Sequence, residues 1–365
     1  MLIALAGALI GMQENVPPPD AHIERAMKSG TQALIAQCRG DLPGEIALNN
    51  DHTALVLYTL VHGGIGLQDE TVKKLLAKAL GASLTGTYQV ALTAAALAAI
   101  DPWKYQSKLA QCAQYLVDWQ CDNGQWSYGE KYDPPAPSSP GDGGAKRTIA
   151  RLLIKRLKKL GGPAGDNSNS QYAALGLKAA AAGGCDVEAP ALNKAIEWWE
   201  KSQQKDGGWS YELNGADQPK VASYGSMTAG AVSSLIMLKQ LKGSEPKVVT
   251  SVQRGLSWLT ENFTVEKNSR APPGSEEWHH YFLYAMERVG DLYPTEKFGK
   301  RAWYAIGATH LIQTQRADGT WNGANPGMVI ADTCFALLFL ERVARRPPVA
   351  TGGKKPPDQE PPPPK

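Results

Sequence analysis

Alternation of β-branched and polar residues is nearly absent from this 365-residue sequence, which excludes a sheet-built fold. No segment reaches 18 apolar residues without a charge, so none reads as a bilayer-spanning helix. Cys-x-x-Cys does not occur, and the five cysteines are an odd number, which argues against a disulfide framework. Cys112 and Cys121 lie nine apart on one predicted helix, too far along its axis to bridge. Charge of either sign is balanced: 38 basic and 35 acidic residues leave a net +3. The basic residues have no interleaved aromatics, so nucleic acid is not an expected partner.

Proline and glycine, in contrast, are plentiful, at 25 and 37 residues. Much of the proline falls at 17–19, 134–140 and 347–364, which read as linkers and, over 346–365, a disordered Pro/Lys-rich tail. Residues 1–20 read as an export signal and linker: an apolar run from Leu2 to Ile10 turns polar, although it lacks a basic leading region. The corresponding expectation is an exported, periplasmic or cell-envelope protein.

The remainder, 21–345, is organised around a sentence written three times. Gln120 to Trp126, Gln203 to Trp209 and Gln315 to Trp321 each run from a glutamine through an Asp/Asn–Gly turn to a tryptophan. Glycine accepts positive φ there without steric cost, and the tryptophan offers a large apolar body with one N–H to satisfy. Three copies indicate an internal repeat. Around them the chain reads as helix pairs: 22–38 with 51–62, 70–82 with 87–100, 106–121 with 168–182, 191–204 with 223–241, 247–263 with 277–292, and 296–315 with 328–344. The first helix of each pair is amphipathic. The second is apolar nearly all round, as in the stretches TALVLYTL and TCFALLFLERV, so it is expected to be buried on every side. The fold class this implies is all-α: an (α/α)6 toroid of six helical hairpins, with the second helices as an inner ring and the first as an outer one. Thr53, Val90, Ser170, Thr228, His279 and Thr333 take equivalent places.

An insertion at 130–166 interrupts the period. It joins a Pro-rich loop to a stretch that reads as a basic amphipathic helix over 145–160. Ile149, Leu152, Leu153, Leu157 and Leu160 share one helical face, with Lys and Arg on the rest and no acid. Such a helix either docks on the barrel by its leucines, covers the mouth as a lid, or meets an anionic membrane surface.

The Gln–Asp–Gly–x–Trp repeats, each between an outer and an inner helix, resemble the QW-type motifs of squalene–hopene cyclases. The helix-pair ring is similar to the α/α toroid of terpenoid cyclases and protein prenyltransferase β subunits. A squalene-type cyclase would place a proton-donating acid in the middle of Asp-x-Asp-Asp-Thr. The matching stretch here is Val329-Ile330-Ala331-Asp332-Thr333, with Ala331 at the donor's place. No Asp-Asp-x-x-Asp occurs for ionising a diphosphate, and only five phenylalanines are present to face a cation. Polyene cyclisation is therefore not expected, and whether the protein is an enzyme stays open.

The prenyltransferase resemblance implies a second site. Asp332 and Cys334 match that family's Asp-x-Cys zinc ligands, and ring closure would bring His52 beside them, an O, S, N set suited to zinc. Otherwise no cofactor is expected, Asp332 being an N-cap and Cys334 a small buried residue. Asp332 and His280 are the candidates for catalysis. Asn169, Tyr172, Tyr224, Trp278 and Tyr281 are the candidates for ligand binding at one end of the inner ring, and Glu287–Arg288 is either a rim or a surface pair. Three functions follow: a toroid holding an isoprenoid or other apolar small molecule, a non-catalytic envelope scaffold for polypeptide or glycan, and a carbohydrate-active (α/α)6 enzyme.

Overall fold

A computed structural model describes residues 16–39, 52–135, 151–211, 222–245 and 249–342. The apolar run of the expected export signal, residue 51, the Pro-rich loop from 136 with the start of the basic insertion, and the 346–365 tail lie outside the described residues.

The described chain is helical: α1 (Asp20–Cys38), α2 (Thr53–His62), α3 (Glu70–Gly81), α4 (Thr87–Ile100), α5 (Gln106–Asp118), α6 (Asn167–Ala182), α7 (Ala189–Lys201), α8 (Gly225–Leu241), α9 (Thr250–Glu261), α10 (His279–Leu292), α11 (Trp303–Thr314) and α12 (Val329–Glu341). Of the odd-numbered helices, α3, α7 and α9 are the clearly amphipathic ones, whereas α11 carries no Asp, Glu, Lys or Arg and α5 is buried over most of its length. In α7, Pro190 sits in the first turn, and Ala191, Leu192, Ala195, Ile196 and Trp199 form one buried stripe. The even-numbered helices are buried almost without a break, as from Gly225 to Leu238 in α8 and from Ala331 to Glu341 in α12. They pack α2 on α4, α4 on α6, α6 on α8, α8 on α10 and α10 on α12, and α12 returns to α2. The expectation of an all-α fold therefore holds, and among the described residues the second helices are the more deeply buried ones.

The three Gln–Gly–Trp copies share one geometry. Trp126, Trp209 and Trp321 are fully buried. Each indole N–H donates to the carbonyl ten residues earlier, that of Leu116, Trp199 or Leu311, at 2.6, 2.9 and 2.8 Å. Each tryptophan backbone N–H donates to a hydroxyl on the following inner helix, Ser170, Thr228 or Thr333, at 3.0, 3.0 and 3.1 Å. Those three hydroxyls are the residues the repeat had set equivalent. The turn glycines have φ of +94°, +91° and +85° at Gly124, Gly207 and Gly319, and a Cβ on any of them would collide with the carbonyl of Lys194, Arg254 or Ser29 on a neighbouring outer helix.

The basic amphipathic helix expected at 145–160 is not formed in its described part. Residues 151–160 contain no helix. Leu152–Ile154 forms a three-residue strand, β1, pairing in parallel with β2 (Cys185–Val187). The leucine spacing fits a helix, but the backbone amides are claimed elsewhere. Asp118, fully buried at the end of α5, accepts from the N–H groups of Leu157 and Lys158 at 2.7 and 3.0 Å, from Gln114 at 3.0 Å and from the Tyr132 hydroxyl at 3.0 Å. Ile154 is buried while Leu153 and Leu157 are about 60% exposed, so the apolar residues do not share a face. The other end of the same segment is tied by Arg151, which forks onto Asp186.

Candidate functional site

A cavity of about 510 Å³ opens at the N-terminal ends of the even-numbered helices, a size that suits a small-molecule ligand. Each inner helix contributes from its first two turns. His52 caps α2, Tyr88 is on α4, Tyr172 on α6, Tyr224 caps α8, Tyr281 is on α10, and Ala331 and Phe335 are on α12. Trp278 and Tyr128 stand at the wall with 39% and 58% of their surface exposed. Among the described residues the lining holds no Asp, Glu, Lys or Arg.

The wall is a continuous run of rings. Tyr88 lies 4.4 Å from Tyr172, Tyr172 stacks on Tyr281 at 5.9 Å, and Tyr281 meets Phe335 edge-on at 5.6 Å and Trp278 edge-on at 6.0 Å. Burial pushes the Tyr88 and Tyr281 hydroxyls well above the usual phenol range, and Tyr172 and Tyr211 move the same way for the same reason. These groups stay neutral and act as hydrogen-bond donors and acceptors.

Behind the wall runs a polar chain. Arg288 on α10 donates to Gln171 Oε1 at 2.6 Å, Gln171 Nε2 donates to the Tyr281 hydroxyl, and that hydroxyl lies 3.3 Å from Tyr88 Oη. Arg288 is 2% exposed and its neighbour Glu287 is fully buried, so this is no surface pair. Burial works against the Arg288 charge, but the oxygens of Tyr284, Tyr172 and Tyr281 around it outweigh that and hold its pKa above the usual guanidinium value.

Of the residues proposed from sequence, Tyr172, Tyr224, Trp278, Tyr281 and His52 reach the cavity. Asn169 does not line it. Its side-chain amide turns back to Asp166, which also accepts the Asn169 backbone N–H and so caps α6. Asp332 and His280 are brought together, with His280 Nδ1 3.1 Å from Asp332 Oδ1, but both are buried behind the wall. The other Asp332 oxygen accepts from the Gly323 N–H at 2.8 Å and so holds the turn after Trp321. Cys334 is fully buried outside the lining, and burial pushes its thiol up. Asp332 and Cys334, two positions apart, point to opposite sides of α12, and among the described residues no group of three or more His, Cys, Asp or Glu forms a metal-holding cluster. The Asp332, Cys334, His52 set is therefore not assembled. Sequence reasoning missed Tyr88 and Gln171. Tyr88 lies two residues after Gly86, the N-cap of α4, and could have been found from its repeat position, whereas Gln171, between Ser170 and Tyr172, carries no signal of its own.

Residues 168–279 match the family model described as Squalene-hopene cyclase C-terminal domain. A terpene cyclase–glycosyl transferase fusion protein, fsoA, of Humicola fuscoatra is 32% identical over 109 residues, 29% of this chain. The match spans only 7% of that relative's length. Among solved structures, a variant of the type II terpene cyclase MstE from Scytonema, in complex with geranylgeranyl dihydroxybenzoate, aligns with a TM-score of 0.49 at 10% identity, covering 88% of this chain and 98% of that one. The apo form of the same cyclase aligns at 0.35, again at 10% identity, over 90% of this chain and 99% of that one. With its helical content and the match over α6 to the start of α10, the chain has a squalene/terpene cyclase-like, all-α fold.

Proposed function

We propose that the protein holds an isoprenoid or other apolar small molecule in its central cavity and does not cyclise polyenes. The observation that carries this reading is the position of Ala331. It lines the cavity, while the only acid of its stretch, Asp332, is turned behind the wall onto His280 and Gly323. A methyl group therefore stands where a cyclising acid would have to deliver its proton. The rings of Tyr172, Tyr281, Phe335 and Trp278 remain, and they offer an apolar chain a complementary surface with no Asp, Glu, Lys or Arg among the described lining residues. The segment matching the cyclase domain, 168–279, supplies Tyr172, Tyr224 and Trp278 to that surface, which supports the apolar-ligand reading.

Native mass spectrometry of the full chain, purified without detergent from a membrane-containing extract, tests it. A retained isoprenoid or lipid released by organic solvent is the expected result. Cyclised product from added squalene would overturn the non-cyclising part. Protein that emerges bare and takes up no isoprenoid would overturn the ligand reading in favour of an envelope scaffold.

A further inference from the structure

The polar chain behind the cavity has a fixed direction. Arginine has only donors, so Arg288 Nη2 sets which end of the Gln171 amide faces it. Gln171 must then present its NH₂ to Tyr281, and Tyr281 must accept. The Tyr281 proton is consequently left to point away from Gln171, towards Tyr88 or into the cavity. The 3.3 Å between the two hydroxyls is long for an O–H···O bond, so the pair is poorly matched to each other. Both residues line the cavity.

The charge at the head of the chain is also unusual. Arg288 lies 4.4 Å from the centre of the Tyr284 ring and 5.5 Å from that of Tyr172. No ion pair among the described residues includes it. A buried guanidinium at the start of a hydrogen-bond chain strengthens the donor at its far end and disfavours positive charge nearby.

We infer that Tyr281 and Tyr88 form a subsite for an electron-rich oxygen (a carboxylate, carbonyl or hydroxyl) on an otherwise apolar ligand, with Arg288 and Gln171 aiming the Tyr281 proton at it. The inference rests on the apolar-ligand reading of the cavity and narrows it to oxygen-bearing molecules. Gln171 and Arg288 act as positioning residues, since neither lines the cavity. A cationic head group is rejected by the same arrangement.

The test uses four fifteen-carbon probes of similar shape: farnesoic acid, farnesol, farnesene and farnesylamine. Dissociation constants are measured on the full chain by quenching of tryptophan fluorescence. Farnesoic acid and farnesol are expected to bind at least about tenfold more tightly than farnesene, and farnesylamine more weakly than farnesol. Tyr281→Phe should bring the acid and the alcohol to within about twofold of farnesene and leave farnesene unchanged. Gln171→Glu places an acceptor opposite Tyr281 and reverses its proton. That variant should lose the preference for the acid while keeping affinity for farnesene, an outcome that simple loss of packing does not give. Equal binding of all four probes, or an unchanged acid preference in Tyr281→Phe, overturns the subsite and leaves the apolar-ligand reading standing. Absence of binding by every probe overturns both.

Discussion

The side-chain amide of Gln315 donates to the backbone carbonyl of Ala26, 289 residues earlier, at 2.8 Å. The same amide also reaches Gly319 in its own turn at 2.9 Å. Gln120 spans Gly124 and Ala191, and Gln203 spans Gly207 and Ser251, in the same manner. Each glutamine thus ties its turn to a neighbouring outer helix, and the third copy ties the last outer helix, α11, to the first, α1.

Replacing any of the three by leucine leaves two carbonyls without that donor. Gln120 is buried, while Gln203 and Gln315 are half-buried. Gln120→Leu is expected to cost about 2 kcal/mol and the other two about 1 kcal/mol each. Urea denaturation checks the ranking. A larger loss for Gln315→Leu than for Gln120→Leu would show that ring closure matters more than burial.

The tryptophans should be less replaceable than the glutamines. Trp209 is fully buried and its N–H is satisfied by Trp199 at 2.9 Å. Trp209→Phe keeps most of the apolar volume but orphans a carbonyl, for a cost of about 1–3 kcal/mol. Trp209→Ala adds a cavity and should cost about 3–5 kcal/mol. Matched unfolding curves for the two variants separate the hydrogen bond from the packing.

The repeat was legible because each residue of it performs the same backbone task three times. Glutamine, positive-φ glycine and buried indole recur at one spacing, and Ser170, Thr228 and Thr333 fall where the repeat requires a hydroxyl. The cavity was half legible. Tyr172, Tyr224, Trp278 and Tyr281 follow from being large rings near the starts of apolar helices. Asp332 and His280 sit at the same end, yet one helical position separates Asp332 from Ala331 and turns it by about 100° away from the cavity. Residues 151–160 were misread because leucine spacing speaks only of which face is apolar. It says nothing of a buried carboxylate 39 residues earlier, at Asp118, that captures two amides a helix would have used itself.

That carboxylate gives the third prediction. Asp118→Ala removes the acceptor for Leu157, Lys158, Gln114 and Tyr132 together. A cost of about 3 kcal/mol is expected. Amide hydrogen exchange should quicken at Leu157 and Lys158 before it does in β1, whose Leu152 N–H is held by Gly184 at 2.9 Å. Uniform quickening across the whole chain would assign Asp118 to global stability and not to the segment.

The last prediction concerns acid. His279 Nε2–H donates to the Val265 carbonyl across 2.7 Å, which fixes the proton on Nε2. Its ring lies 5.1 Å from that of His280 and 5.4 Å from that of His310. Burial, then the neighbouring His280, holds His279 down at about 3, although the Val265 carbonyl pulls the other way. His310 is lowered too, by burial and by His280, against Glu266. The folded values lie below the unfolded value of about 6.5, so the unfolded chain takes up protons that the folded chain refuses. The associated stability is complete above about pH 6.5 and is lost as pH falls towards 3, at up to about 1.4 kcal/mol per pH unit for one histidine. His279→Phe should therefore lose about 2 kcal/mol less than the wild type between pH 7.5 and pH 5, even if it is weaker at pH 7.5 for want of the Val265 bond. Urea midpoints across that range decide the matter. Parallel slopes in the two proteins would mean that His279 charges freely in the folded state, and that the packing of α10 against Val265 does not exclude the proton.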